Sequence, residues 1–171
     1  MVVKMIALQI KNIKTFMSRL LSSEVFDCFL LSEASITTNN TFFIDGHQNK
    51  EFFSNEEWED AAIRPYDYSM WKDIKSLCFH LIKGTRTPVG FKFILHLIPA
   101  YVESILSDDS VTVPIDEVKA LVLNVKYDSS GLTITTGTSL KTFLPDKSAD
   151  IFWDKYIRLF LEKASIDYEE K

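Results

Sequence analysis

Two cysteines are all the chain has, too few for a disulfide framework. Cys28 and Cys78 both sit in apolar runs, so the expectation is two buried, reduced thiols. Five glycines and five prolines among 171 residues exclude collagen-like and low-complexity composition. No stretch approaches the ~20 apolar residues of a membrane span. The apolar start through Leu8 is soon interrupted by Lys11 and Lys14, which excludes a signal peptide of ordinary length. Met5 offers an alternative start codon. A cytoplasmic protein with no membrane partner is expected. Also missing are a Gly-rich phosphate loop, a dinucleotide fingerprint, Cys-x-x-Cys, His-Glu-x-x-His and Gly-x-Ser-x-Gly. The common enzyme classes are therefore less expected without being removed, and no cofactor is expected.

What is present is a core. Hydrophobic residues make up 46% and aromatic residues 13% of the chain, enough for a single domain, residues 1–171, to bury roughly 70% of its unfolded surface. A net charge of −5 conceals blocks: residues 1–22 carry +4, 23–71 carry −8, 72–92 carry +4 and 93–171 carry −5. Such patterning bears on partners and not on fold.

Periodicity gives the elements. A strand over 5–10 precedes a helix over 12–22, where Asn12 is placed to cap and Ile13, Phe16, Met17, Leu20 and Leu21 share a face. Strands follow over 25–38 and 41–44, with a third over 51–53. Residues 54–70 are acidic and irregular, with Pro65, and are expected as a loop or a short helix, the least ordered part. A middle helix spans 70–83, stopped by Gly84. Then come a strand over 91–98, a helix over 99–107 opened by Pro99, a strand over 118–127, a turn ending at Gly131, and strands over 132–136 and 141–144. A last helix covers 149–163, and the acidic tail from Asp167 is expected to fray.

These strings suggest an α+β fold of two pseudo-repeated units, β-α-β-β over 5–53 and β-α-β-β-β over 89–146. They would form an antiparallel sheet with helices packed on one face, plus the middle and C-terminal helices. Ile36-Thr37-Thr38 with Thr41-Phe42 answers Ile134-Thr135-Thr136 with Thr142-Phe143.

Two resemblances follow from particular residues. Val25-Phe26-Asp27 running into Leu31-Ser32-Glu33-Ala34-Ser35-Ile36-Thr37-Thr38, then Ile44-Asp45-Gly46, carry the first. Ile82-Lys83-Gly84 with Thr87-Pro88, the run Thr136-Gly137-Thr138-Ser139-Leu140-Lys141-Thr142-Phe143, and Trp153-Asp154 complete it. Over nearly its full length the chain resembles an uncharacterised family of small proteins from clostridia-type bacteria, known only as a domain of unknown function. That resemblance implies no activity. The second rests on Ile105-Leu106, Val118-Lys119-Ala120-Leu121-Val122-Leu123-Asn124-Val125, Gly131 and Leu132 to Leu140. This stretch resembles the β-α-β-β-β unit of DNA sliding clamps, whose basic helices line a DNA channel. The chain departs from that pattern by its middle and C-terminal helices, and it is too short to supply a clamp's several domains. A ring would need a homo-oligomer.

Candidate chemistry is sparse. Cys78 and His80, two apart on a helix, point to different faces and cannot share a metal. His96 lies inside a strand and His47 after a turn. Gly137-Thr138-Ser139 with Lys141 admits a nucleophile with a base, an anion-binding nest or a plain polar turn. Asp45, Asp146 and Asp150 suit turn or cap roles. The basic side chains Lys11, Lys14, Arg19, Lys72, Lys75, Lys83 and Arg86 are either solvated helix faces or a merged patch facing phosphates. Phe42, Phe43, Phe52, Phe53 and Trp58 are candidates for an anchor patch.

Three functions compete. The first is a non-enzymatic, clamp-like scaffold or binding module that touches nucleic acid or replication and repair proteins through its basic helices. The second is a protein-interaction or assembly module using a sheet edge or the aromatic patch. The third is an enzyme centred on the 137–146 loop.

Overall fold

A computed structural model describes residues 2–171, with the backbone alone for residues 2–5. Met1 and the side chains of Lys4 and Met5 lie outside the described residues. The elements are β1 (Val2–Ile10), α1 (Ile13–Ser22), β2 (Phe29–Thr37), β3 (Thr41–Asp45), α2 (Asn55–Glu59), α3 (Trp71–Ile82), β4 (Gly90–Leu97), α4 (Pro99–Ile105), β5 (Val118–Asp128), β6 (Gly131–Leu140), α5 (Ser148–Lys163) and β7 (Tyr168–Glu170). The fold is α+β. All seven strands join one sheet in the order β3-β2-β4-β5-β6-β1-β7, and every pairing is antiparallel.

The order β-α-β-β occurs twice, as β1-α1-β2-β3 and β4-α4-β5-β6. The strands pair differently within the two runs. β4 lies beside β5, whereas β1 and β2 are separated by the whole of β4-β5-β6.

Alternate residues of each strand face opposite sides, and the two sides differ. Phe29, Leu31, Ala34 and Ile36 of β2, Phe91, Phe93, Leu95 and Leu97 of β4, and Leu121, Leu123 and Val125 of β5 join one buried cluster. Leu132, Ile134, Leu8 and Ile10 continue it across β6 and β1. Helices supply its other half: Phe16 and Leu20 from α1, Trp71 and Cys78 from α3, Trp153, Ile157 and Leu161 from α5. The Arg19 guanidinium donates to the Ala164 carbonyl just past α5 (3.0 Å). The Trp71 indole donates to the Leu20 carbonyl (3.0 Å). So α1 is tied to α5 at one side and to α3 at the other. α5 is anchored by the Trp153 indole on the Val122 carbonyl (2.9 Å) and by Thr136, whose hydroxyl donates to buried Asp154 (2.6 Å). Thr138 donates likewise to buried Asp150. Burial pushes the Asp154 carboxyl up, and the Thr136 hydroxyl works against that rise.

Several expectations need correction. Residues 25–28 are not strand. They form a turn after α1, held by the Ser23 hydroxyl donating to the Arg19 carbonyl (2.6 Å) and accepting from the Val25 amide (3.3 Å). The strand expected over 51–53 is a 3₁₀ turn, Lys50–Phe52. The strands expected over 132–136 and 141–144 are replaced by β6, which continues through Gly137 to Leu140, because β1 and β5 pair with it on both sides. Residues 141–144 lie outside any strand. The tail does not fray: β7 adds to β1, and Arg158 on α5 grips Glu170 (2.5 Å). In the acidic segment, expected as a loop or a short helix, the short helix is present. Ser54 and Glu57 form a reciprocal capping box that starts α2, and Arg64 lies over the Trp58 ring at 3.5 Å. Asn12 caps α1 and Pro99 opens α4 as expected. Cys78 is buried and Cys28 half-buried, both as free thiols, pushed by burial up to about 12 and about 11.

The segment between β3 and α3 is pinned to β2 through Gly46. Its amide donates to the Ser32 carbonyl (2.8 Å) and its carbonyl accepts from the Ser69 amide (2.9 Å). A Cβ at Gly46 would stand 1.8 Å from the Leu31 carbonyl oxygen. Gly46→Ala must therefore push backbone apart, at a cost of about 3 kcal/mol. The expected result in thermal unfolding is a melting temperature lowered by roughly 10 °C.

Candidate functional site

The opposite side of the sheet has no helical layer over its centre. Its buried side chains Leu30, Ala120 and Val122 stand apart from the main cluster. With Ile94, His96, Asn124, Ser139 and Ser32 they floor a cleft of about 930 Å³. One wall is the stretch Pro65, Tyr66, Asp67 and Tyr68. It is held in place where the Leu31 amide donates to the Ser69 carbonyl (2.8 Å) and where His47 and Tyr68 form an isolated bridge. The facing wall is Pro99, Val102 and Glu103 of α4, with Ile115 and Val118. The bulge in β2 between Leu31 and Glu33 accommodates Ser32 as the extra residue.

The polar groups of this cleft are notable for what they do not touch. Among the described residues, the side chains of Ser32, His96, Lys119 and Asn124 form no hydrogen bond within the protein. His96 meets the Tyr68 ring edge-on at 5.2 Å, and Tyr68 in turn contacts His47 at 4.3 Å. Burial first, then the charge of Lys119, then His47, holds the His96 imidazole below its ordinary 6.5. Asp67 is engaged by Arg64 (3.3 Å), while Glu103 stands exposed on the wall. A volume of this size, an apolar floor and a few convergent polar groups are the attributes of a small-molecule site. No sequence signal announced it. Its floor is the outward half of four strands, β2, β4, β5 and β6, and its two walls come from separate segments, residues 65–68 before β4 and residues 99–118 after it.

The residues singled out from sequence are dispersed differently. Lys11 pairs with Glu169 (3.5 Å). Arg19 is spent on the Ala164 carbonyl. Lys75 is bound to Asp27 (2.7 Å) and to the Ser23 carbonyl (2.8 Å), half-buried. Lys14, Lys72, Lys83 and Arg86 are exposed, and Lys83 approaches the Phe79 ring at 5.7 Å. Lys75 touches the C-terminal end of α1, whereas Lys14 lies nine residues before Ser23, about 13 Å back along the helix. The aromatic candidates form two groups, with no ring contact between them among the described residues. Phe52, Phe53 and Trp58 make one chain, at 5.5 and 5.9 Å. Phe42 and Phe43 lie on β3, pointing to opposite faces of the sheet.

Thr138 and Ser139 are also split. Thr138 faces α5, Ser139 the cleft, and the space between the end of β6 and α5 is only about 20 Å³. Asp146 accepts from the Thr112 hydroxyl and the Ser148 amide at the start of α5 (2.5 and 2.8 Å), and Asp45 accepts from the His47 amide (2.9 Å). Three strands separate β3 from β6, so Asp45 does not join Asp146 and Asp150.

The lowered His96 value fixes the sign of a pH effect. The unfolded chain takes up this proton near the ordinary histidine value, and the folded chain resists it. Stability from neutral His96 is therefore present above 6.5 and is lost as the pH falls through that value toward the folded one. In urea titrations between about pH 7 and about pH 5, the wild type should lose more stability than His96→Gln.

No curated protein and no solved structure matches the chain. No helix among the described residues is long and apolar enough to cross a membrane, and no group of three or more His, Cys, Asp or Glu among them is placed to hold a metal. A family model described as a family of unknown function, DUF5721, matches residues 19–169, and the chain belongs to that family.

Proposed function

We propose that the chain is a non-enzymatic binding module whose ligand lies in the cleft on the uncovered sheet face. The carrying observation is the set Ser32, His96, Lys119 and Asn124, polar side chains without protein partners above a floor of Leu30, Ile94, Ala120 and Val122. These groups are open to solvent, and a ligand that exchanges hydrogen bonds with them while its body covers the apolar floor fits the cleft. Lys119 beside His96 favours an anionic or acceptor head, so the ligand class is a small amphipathic molecule with an apolar body and one such head. A suitable probe is anilinonaphthalene sulfonate, which joins both features. Saturable one-to-one binding in a fluorescence titration is expected, weakened at least roughly tenfold by Lys119→Glu and abolished by Ala120→Trp, which fills the floor. Binding that is absent, or unchanged in both folded variants, would remove the cleft from consideration.

A second reading is favoured by the helical layer. α1 is tied to both α3 and α5, and exposed Lys14, Lys72, Lys155 and Lys163 on these helices outnumber exposed Asp73 and Glu162. With Lys83 and Arg86 beyond α3, this layer is the basic part of an acidic protein. It suits the clamp-like reading, in which helices meet nucleic-acid phosphates. Gel shifts with duplex and single-stranded DNA should then show a complex at about 50 mM salt that is lost by about 200 mM. Combined Lys14→Glu and Lys72→Glu should abolish it.

A further inference from the structure

The two edges of the sheet are built differently. β7 has three residues, carries Glu169 and Glu170, and is engaged through Arg158 and Lys11. Short length and charge are the usual guards of an edge strand. β3, Thr41-Phe42-Phe43-Ile44-Asp45, has neither proline nor lysine nor a bulge, and it holds Phe43 with 65% of its surface exposed.

The register shows which backbone groups of β3 are free. In an antiparallel pair, hydrogen-bonded residue pairs alternate with non-bonded ones. At one end the Thr38 amide donates to the Asn40 carbonyl (2.8 Å), and at the other the Gly46 amide donates to the Ser32 carbonyl (2.8 Å). Counting inward from either end gives the same parity: Phe42 and Ile44 bond to β2 through Ile36 and Ala34. Thr41, Phe43 and Asp45 therefore turn their amides and carbonyls outward. The close approach of the Thr37 and Thr41 hydroxyls (3.2 Å) agrees with a non-bonded pair there. Among the described residues, no backbone group takes up these three amides.

We propose that β3 pairs with β3 of a second copy of this chain, antiparallel about a twofold axis at Phe43. This surface is separate from the cleft. A twofold at Phe43 sets Phe43 opposite its own copy and Thr41 opposite the copy's Asp45, so all three outward-facing residues fall in hydrogen-bonded pairs. Phe42 then meets Ile44 on the helix side of the sheet, and the Thr41 hydroxyl faces the Asp45 carboxylate on the other. No like charges are opposed. A pairing of β3 with β7 of another copy would set Phe43 against an acidic, three-residue strand and, being head-to-tail, would leave a free edge on each copy of a pair. The isologous pairing closes at two copies. Five residues a side make an interface below the standard size, so the dimer is weak, with dissociation on the order of 10 µM.

Light scattering and sedimentation from about 1 to about 200 µM test this, with hydrogen exchange as the specific readout. A monomer–dimer equilibrium is expected. The amides of Thr41, Phe43 and Asp45 should gain protection as concentration rises, while Phe42 and Ile44 stay protected throughout. Phe43→Lys opposes two charges across the axis and should leave a folded monomer. Phe43→Pro removes an outward amide while sparing the bonds to β2 and should do the same. A chain that stays monomeric over the whole range, an open series of larger oligomers, or a dimer unaffected by both variants would overturn the proposal. So would a dimer in which the three outward amides remain unprotected. Capture of a foreign extended peptide by an otherwise monomeric chain would also overturn it, assigning the edge to a different partner.

Discussion

A pleated strand sends alternate side chains to opposite faces, so a sheet packed heavily on one side sorts its residues into two populations. That constraint organises this molecule. β2 and β4 give Phe and Leu, and β5 gives Leu and Val, to the side covered by α1, α3 and α5. To the other side they give a mixture of Leu30, Ser32, Ile94, His96, Ala120, Val122 and Asn124. The first population makes the core. The second has no helical layer at its centre and becomes the cleft floor.

Polar groups reinforce the sidedness. α5 brings Asp150 and Asp154 down onto the sheet, where burying a carboxylate without a partner would cost several kcal/mol. Thr138 and Thr136 supply the hydroxyls, and the Trp153 indole adds a bond to the strand itself. These contacts fix α5 against β6 and β5. They also spend the two threonines, which leaves Ser139 as the hydroxyl of this run that lines the cleft. On the far side of the helical layer, the Lys75–Asp27 pair and the Trp71 indole do the equivalent for α3.

The wall of the cleft is set by backbone rather than by side chains. Segment 46–69 leaves the end of β3 and returns along β2, bonded through Gly46 and Ser69. Only glycine allows that approach. The excursion is stiffened by the Ser54–Glu57 capping box and the Arg64–Trp58 stack. The same departure leaves β3 exposed as the long, unguarded edge.

Local chemistry was legible where it is self-contained. The amphipathic spacing of α1, its Asn12 cap, Pro99 opening α4, the hairpin turn at Gly131 and the apolar strands each depend on neighbours in sequence, and the α+β class followed from them. The sequence also marked the aromatic residues of β3, without saying that they lie on an edge. Strand order was not legible, because β1 joins β6 across more than 120 residues and no local signal encodes such a partner. For the same reason Gly137 looked like a turn and is strand, since flanking strands on both sides outweigh its local preference. The tail looked solvated and is paired, because β1 offered an edge. Basic residues were visible as charges, but which of them are spent on Asp27, Glu169 and a helix-end carbonyl depends on the packing of α1, α3 and α5. The cleft belongs wholly to tertiary structure: its floor is half of each strand's alternation, and its walls come from segments that only folding brings together.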